Sequence, residues 1–253
     1  MRIAVLLKQV PDIVEEIQIA EDGRDLVRDD LKYRLNEFDD YALEEALQLK
    51  ASAGAEVVAL ALDGDEIDQI LYTALAKGVD RAIKVTGDAP SPRAGALLLA
   101  EALRPLGVDL VLAGVQAPDD LEGQLAPLVG AALGLPHANV VNGLEVSGGT
   151  VKVTQEFSGG LVAHLEGELP VVLGVQASRE PPRYAPITRV RQAMQSGKLE
   201  TVAATAGAAP AVALRKLAKP EATGHAEMVE GSVEQVAERI VALLRERGFG
   251  GKS

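Results

Sequence analysis

The chain has 253 residues, 47% of them hydrophobic, enough to bury a sizeable core as one large domain or as a domain with an appendage. It has no cysteine, which excludes disulfides, thiolate catalysis, cysteine-ligated zinc and cysteine-held iron–sulfur clusters. The formal charge of −12 argues against nucleic-acid binding, and no apolar run approaches the roughly 18 residues of a membrane span.

Met1-Arg-Ile-Ala-Val5 enters a strand-like run directly and lacks the three-part layout of a signal peptide, so a cytoplasmic location is expected. Ile3-Ala-Val-Leu-Leu7 is the first apolar run. Residues 16–20 and 25–28 flank Glu21-Asp-Gly-Arg24, whose Asp-Gly suggests a hairpin turn. Residues 39–50 carry apolar side chains at helical spacing, and Asn36-x-x-Asp39 ahead of them resembles a capping box. Glu56-Val-Val-Ala-Leu-Ala-Leu62 reads as a strand and 65–77 as a helix stopped by Gly78. A strand at 81–85, a helix at 91–106, a strand at 108–113 and a helix from about 119 to 134 follow.

Beyond Pro136 the texture changes. Residues 140–146, 150–156 and 161–165 read as short antiparallel strands joined at Gly148-Gly149 and Gly159-Gly160, and Pro170-Val-Val-Leu-Gly-Val175 returns to the buried-strand pattern. Residues 180–186 form a proline-stiffened loop before a helix at 187–196. The predicted layout is a nucleotide-binding α/β domain over 1–200, a linker over 201–231 and an amphipathic helical arm over 232–253 capped by Ser232. The fold class is α/β: a mostly parallel, doubly wound, Rossmann-like sheet with a small antiparallel addition. A ligand site is expected at the carboxyl ends of the strands, where the chain direction reverses across the sheet. Residues 8–12, 63–64 and 114–125 are the loops placed there.

Residues 114–124 are the most informative segment, a glycine-bearing turn between an apolar strand and a helix. A helix N-terminus offers unpaired N–H groups and partial positive charge to a phosphate. Neither the dinucleotide glycine fingerprint nor a Walker-type loop occurs anywhere in the chain. Asp119 and Asp120 would repel a phosphate, so backbone N–H groups from 120 to 125 are the expected phosphate ligands. In this reading the two acids either face sugar hydroxyls or favour the helix dipole from its first turn. Three scattered histidines, His137, His164 and His225, share no metal-ligand spacing, and no metal is expected.

Taken with Lys8-Gln-Val-Pro-Asp12, Asn36-Glu-Phe-Asp-Asp40, Ala42-Leu-Glu-Glu-Ala46, Thr73-Ala-Leu-Ala76 with Gly78 and Asp80, Glu156 with Gly159-Gly160, and Pro182-Arg-Tyr184, this segment resembles the beta subunits of electron transfer flavoproteins. The resemblance implies no catalytic side chain and a heterodimer with an alpha subunit that holds most of a shared FAD, which suits an aromatic content of only 3%. It implies AMP bound by Leu6, Asn36, Glu37, Phe38, Asp39, Leu62, Gly114, Val115, Gln116, Ala117, Pro118, Asp119, Asp120, Leu121, Glu122, Gly123, Gln124 and Leu125, with Ile13 near the flavin. It makes Arg179, Glu180, Pro181, Pro182, Arg183 and Tyr184 a loop that docks flavoprotein dehydrogenases. Glu156 becomes the acid that holds the mobile flavin domain, and a membrane quinone oxidoreductase becomes the electron acceptor. Leu121 and Leu125 depart from the Asp and Thr usual in the family, and Arg179 stands where a Leu is frequent. The alternatives are a bifurcating relative with a second FAD and NADH, a homodimeric ATP-binding stress-type module, and an ATP-hydrolysing synthetase-like enzyme.

Overall fold

The strand runs are apolar at nearly every position rather than alternately apolar, which is what a sheet covered on both faces requires. The computed structural model describes all residues except 30, 121, 206–213, 221–223, 225–227 and 250–253, so Leu121, His225 and much of the expected linker lie outside the described residues. In chain order the elements are β1 (Arg2–Leu7), β2 (Gln9–Pro11), β3 (Tyr33–Leu35), α1 (Glu37–Ala53), β4 (Glu56–Leu62), α2 (Ile67–Lys77), β5 (Arg81–Thr86), α3 (Pro92–Leu103) and β6 (Leu110–Gly114). There follow α4 (Leu125–Leu133), β7 (His137–Ser147), β8 (Thr150–Phe157), β9 (Leu161–Glu168), β10 (Val171–Val175), α5 (Ile187–Ser196), β11 (Leu199–Ala203) and α6 (Val233–Glu246).

Nine strands make one sheet in the order β11-β5-β4-β1-β6-β10-β7-β8-β9. The strands from β11 through β7 pair in parallel, while β7-β8 and β8-β9 are antiparallel. β1 lies at the pivot: Ile3 faces Val57 of β4 on one side and Leu110 of β6 on the other. After β1 the chain builds outward through β4 and β5, then crosses to the opposite side of β1 to lay down β6. The reversal opens a crevice above the carboxyl ends of β1 and β6, where the topology rule places a ligand.

Side chains alternate across the sheet. Ile3, Val5, Val57, Ala59, Leu110 and Leu112 face α1 and α2 in one buried layer, with Leu43, Leu47 and Leu71 above them. Ala4, Leu6, Val58, Leu60, Val111 and Ala113 face α3 and α4, meeting Leu98, Leu103 and Val129. Parallel strands in the middle and helices on both faces are thus the α/β architecture expected from the sequence. The chain divides into two compact units, Met1–Lys216 and Leu217–Ser253. The second contains α6, whose capping box joins the Ser232 side chain to the Gln235 N–H and the Gln235 side chain to the Ser232 N–H. No α6 residue is buried, and Ile240, Val241 and Leu244 are exposed.

Four local expectations change. Residues 16–28 form only one antiparallel bridge, Ile19 with Leu26, rather than a hairpin of two strands. The helix expected from about 119 begins at Leu125, because Ala117 and Asp120 close a turn by exchanging backbone hydrogen bonds. Asn36 makes no side-chain cap to α1. Residues 201–203, expected in a linker, belong to β11, where Thr201 and Val202 pair with Lys84 and Val85.

Leu112 is fully buried between α1 and the middle of the sheet. Leu112→Ala is expected to lower stability by about 2–5 kcal/mol through lost burial and an unfilled cavity. Leu161→Ala on the exposed edge strand β9 should stay within about 0.5 kcal/mol of wild type in the isolated chain. Urea denaturation followed by circular dichroism checks both.

Candidate functional site

A parallel strand that ends inside the protein leaves backbone N–H groups in need of partners. At the ends of β1 and β6 one side chain supplies them. Asp39, only 2% exposed, accepts the Lys8 N–H at one carboxylate oxygen and the Gly114 N–H at the other, each at 2.8 Å. Asn36 completes the clasp. Its backbone N–H donates to the Lys8 carbonyl and its side chain to the Gln116 carbonyl, both at 2.9 Å. The capping-box reading of Asn36 and Asp39 therefore fails for a definite reason: both polar groups are spent on the strand ends instead of on their own helix. Gly114 is obligatory here, since a methyl group on it would lie 2.7 Å from the Asp39 nitrogen and 2.7 Å from Phe38 Cβ.

Burial pushes the Asp39 carboxyl up from the usual carboxylate range to about 7, against the downward pull of hydrogen bonds from Gly114, Asn36 and Lys8. The folded chain holds a proton here that the unfolded chain has released at the same pH. The contribution of this group to stability is full below about pH 4 and lost as the pH rises through about 7.

A cleft of about 590 Å³ opens beside the clasp at the carboxyl ends of β1 and β4, and Lys8 is the clasp residue that lines it. Lys8, Gln9, Leu62, Asp63, Gly64, Asp119, Asp120 and Leu125 line it from the strand ends, Asp25, Arg28 and Tyr33 from the segment before α1, and Pro90, Ser91 and Gly95 from the start of α3. All three loops expected at the strand ends contribute. The walls carry five aspartates against Lys8 and Arg28. Lys8 Nζ pairs with Asp119 at 2.8 Å, while Arg28 is 3.2 Å from Asp25 and 3.5 Å from Asp65. Gln9 Oε1 accepts the Glu66 N–H at 2.9 Å, and its side chain occupies the space a side chain at Gly64 would need. Among the described residues no group of acids or histidines has the arrangement of a metal site.

Leu62, Asp119, Asp120 and Leu125 are the expected nucleotide residues that reach this cleft. Leu6 is buried in the sheet core, Asn36 and Asp39 are buried in the clasp, Glu37 is exposed and bonded to the Tyr41 hydroxyl, and Phe38 packs its ring near Tyr41. Since α4 starts at Leu125, neither Asp119 nor Asp120 sits in its first turn. The free donors at that helix end belong to Leu125 and Ala126, Pro127 having none. Gly123 has φ +60, and a side chain on it would meet the Val115 carbonyl at 2.8 Å. Asp25, Arg28, Tyr33, Pro90, Ser91 and Gly95 were not singled out as site residues from the sequence. The Asp-Gly turn at 22–23 and the Pro-Ser-Pro run at 90–92 were the available signals.

The loop over 179–184 is braced from below. Glu44 and Glu45 on α1 are 4% and 2% exposed. Glu44 accepts the Arg183 N–H at 3.0 Å and both ends of its guanidinium fork at 2.8 Å. Glu45 accepts the Arg179 N–H at 2.6 Å. Burial works against the Glu44 charge, but the Arg183 hydrogen bonds and charge outweigh it and hold the carboxyl below its usual range. Glu180, Pro181 and Tyr184 remain exposed, Tyr184 at 83%, and Pro182 is half-buried. Glu156 on β8 accepts from Asn142 at 3.1 Å. Ile13 and Val14, just past β2, expose 57% and 84% of their surface.

Asp39→Asn removes the titrating group and turns an NH₂ toward a backbone N–H donor, at a cost of about 1–3 kcal/mol. Between about pH 4.5 and pH 8 the wild-type urea midpoint is expected to fall more than that of the variant. Parallel pH profiles for the two proteins would show that Asp39 does not titrate in this window.

The profile of the electron transfer flavoprotein domain family matches residues 25–207. The electron transfer flavoprotein subunit beta of Methylophilus methylotrophus is 34% identical over 97% of this chain and 98% of its own length. The subunits beta of Syntrophomonas wolfei and Sus scrofa are each 32% identical, over 97% and 98% of this chain and 96% and 98% of their own. Family profile and full-length relatives agree with the motifs: the chain belongs to the electron transfer flavoprotein family, as one of its beta subunits.

Proposed function

We propose that the chain binds AMP in the cleft above β1 and β6 and completes the FAD site of a heterodimer whose alpha subunit holds most of the flavin. The observation that carries this reading is the cleft itself, which lies at the sheet's reversal point and is framed by loops from β1, β4 and β6. The phosphate sits against the N–H groups of Leu125 and Ala126 and the turn before them, where Gly123 lets the backbone approach closely. Lys8, already at the cleft wall in its pair with Asp119, adds the nearest positive charge. The aspartates are ill suited to a second phosphate but accept hydrogen bonds from ribose hydroxyls. This charge pattern favours a mononucleotide over the second FAD of a bifurcating relative.

The fit to FAD is partial, as a shared site requires. Ile13 and Val14 offer an apolar wall that the chain's own core does not cover, and the side chain at 13 is aliphatic, so the ring would pack without an aromatic contact from this position. When bound, FAD supplies the redox chemistry by which the heterodimer relays electrons from flavoprotein dehydrogenases to a membrane quinone oxidoreductase. The chain's own residues bind, orient and dock. Glu156, held by Asn142, pairs with the mobile flavin domain, and the 179–184 loop is the dehydrogenase contact. Its prolines and the Glu44–Arg183 brace reduce the ordering entropy lost on docking. No described helix is long and apolar enough to cross a membrane, and the quinone oxidoreductase is reached by collision from the cytoplasm.

The test is mass-spectrometric identification of the nucleotides released when the chain is purified with its alpha subunit. One FAD and one AMP per heterodimer is the expected result. Two FAD and no AMP would favour the bifurcating reading, and ATP on a stable homodimer would overturn the flavoprotein assignment for this chain.

A further inference from the structure

β7 does not run straight beside β10. Between the pairs Leu173–Ala138 and Val175–Val141, Gly174 of β10 faces two residues of β7, Asn139 and Val140. This is a β-bulge, a feature that re-aims side chains. Val140 holds φ +60, alone among the described non-glycine residues in having a positive φ. A β-branched side chain is poorly suited to that region of backbone space, so the position stores strain that surrounding packing must offset.

The bulge aims the Asn139 amide. Its Nδ2 donates to the Gly123 carbonyl at 2.8 Å. Its Oδ1 is buried without a hydrogen-bond partner. A side chain at Gly174 would collide with that oxygen and would come within 3.4 Å of the Ala126 side chain in the first turn of α4. A strained backbone, an orphaned buried acceptor and an obligatory glycine thus converge on one point, and what they sustain is one hydrogen bond to the turn that leads into α4. The change from parallel to antiparallel pairing along β7 explains a bend here. It does not explain the amide, because glycine at 140 and alanine at 139 would bend the strand without strain or an unpaired oxygen. Strain of this kind concentrates at functional sites.

We propose that Asn139 is a positioning residue for the bound nucleotide. By gripping Gly123 it fixes the path of the chain from Glu122 to Leu125, which lines the cleft, and so presents the N–H groups that hold the phosphate. The proposal rests on reading the cleft as the AMP site and adds to it the residue that pre-shapes the phosphate end.

The experiment uses the flavin-loaded heterodimer freed of AMP, titrated calorimetrically with AMP and with adenosine, which lacks the phosphate. Wild type should bind AMP more tightly. Asn139→Ala is expected to weaken AMP about tenfold or more and adenosine less than about threefold, with the flavin absorbance unchanged. Asn139→Ser, polar but too short to reach the Gly123 carbonyl, should behave the same way and replaces the alanine variant if that fails to fold. Equal weakening of both ligands would mark a merely structural role and overturn the proposal, as would an undiminished AMP preference in both variants. A wild type that does not prefer AMP to adenosine would instead overturn the reading of the cleft.

Discussion

Two parallel strands, β1 and β6, end side by side, with the Lys8 N–H just past β1 and the Gly114 N–H at the end of β6 bound to the two oxygens of one carboxyl group. Asp39 does this from the first turn of α1, at 2.8 Å to both Lys8 and Gly114. Burying a carboxyl that deeply works against its charge and raises its pKa to about 7, and the hydrogen bonds from Gly114, Asn36 and Lys8 offset only part of that penalty. The consequences spread from there. Gly114 can carry no side chain, Lys8 is held at the cleft wall, and α1 is pinned at its N-terminal end. Two turns further along, the same helix presents Glu44 and Glu45 to Arg183 and Arg179, so one element anchors both the ends of β1 and β6 and the exposed loop.

A chain with a formal charge of −12 is an unlikely setting for an anion unless recognition is delegated to the backbone. On the proposed reading the cleft is built that way. Its charged side chains are mostly aspartates, its cations are already paired at its edge, and the donors without such conflict are the N–H groups at the start of α4. Neutral hydrogen-bond donors of a sugar suit the acidic walls, whereas a second phosphate does not. The same delegation explains the glycines: Gly123 and Gly174 remove side chains where backbone or an amide must approach.

The architecture was legible because continuous apolar runs alternating with helical spacing leave little choice but a doubly wound sheet, and the position of a cleft at the strand ends followed from the topology alone. What was not legible depended on long-range partners. Asn36 and Asp39 have the spacing of a capping box, and only the proximity of Lys8 and Gly114, far away in sequence, diverts them. The start of α4 was placed six residues early because Asp119 and Asp120 suit a first helical turn, yet the turn closed by Ala117 and Asp120 takes precedence. Arg183 was named from the resemblance as part of the docking loop, and its bond to Glu44 depends on a partner far away in sequence that its loop does not announce. β11 was missed because a five-residue edge strand next to an alanine-rich stretch has no pattern of its own; its register against β5 supplies the structure. The strained valine at 140 carries no sequence signal at all.

The central claim, that the adenine nucleotide occupies the crevice above β1 and β6, is tested most directly by hydrogen–deuterium exchange of the heterodimer with and without AMP. The account requires AMP to slow exchange in residues 8–12, 62–65 and 114–126, the three loops that meet at the cleft. Protection confined to the antiparallel strands over 137–168, or none in the three loops while AMP is bound, would contradict it.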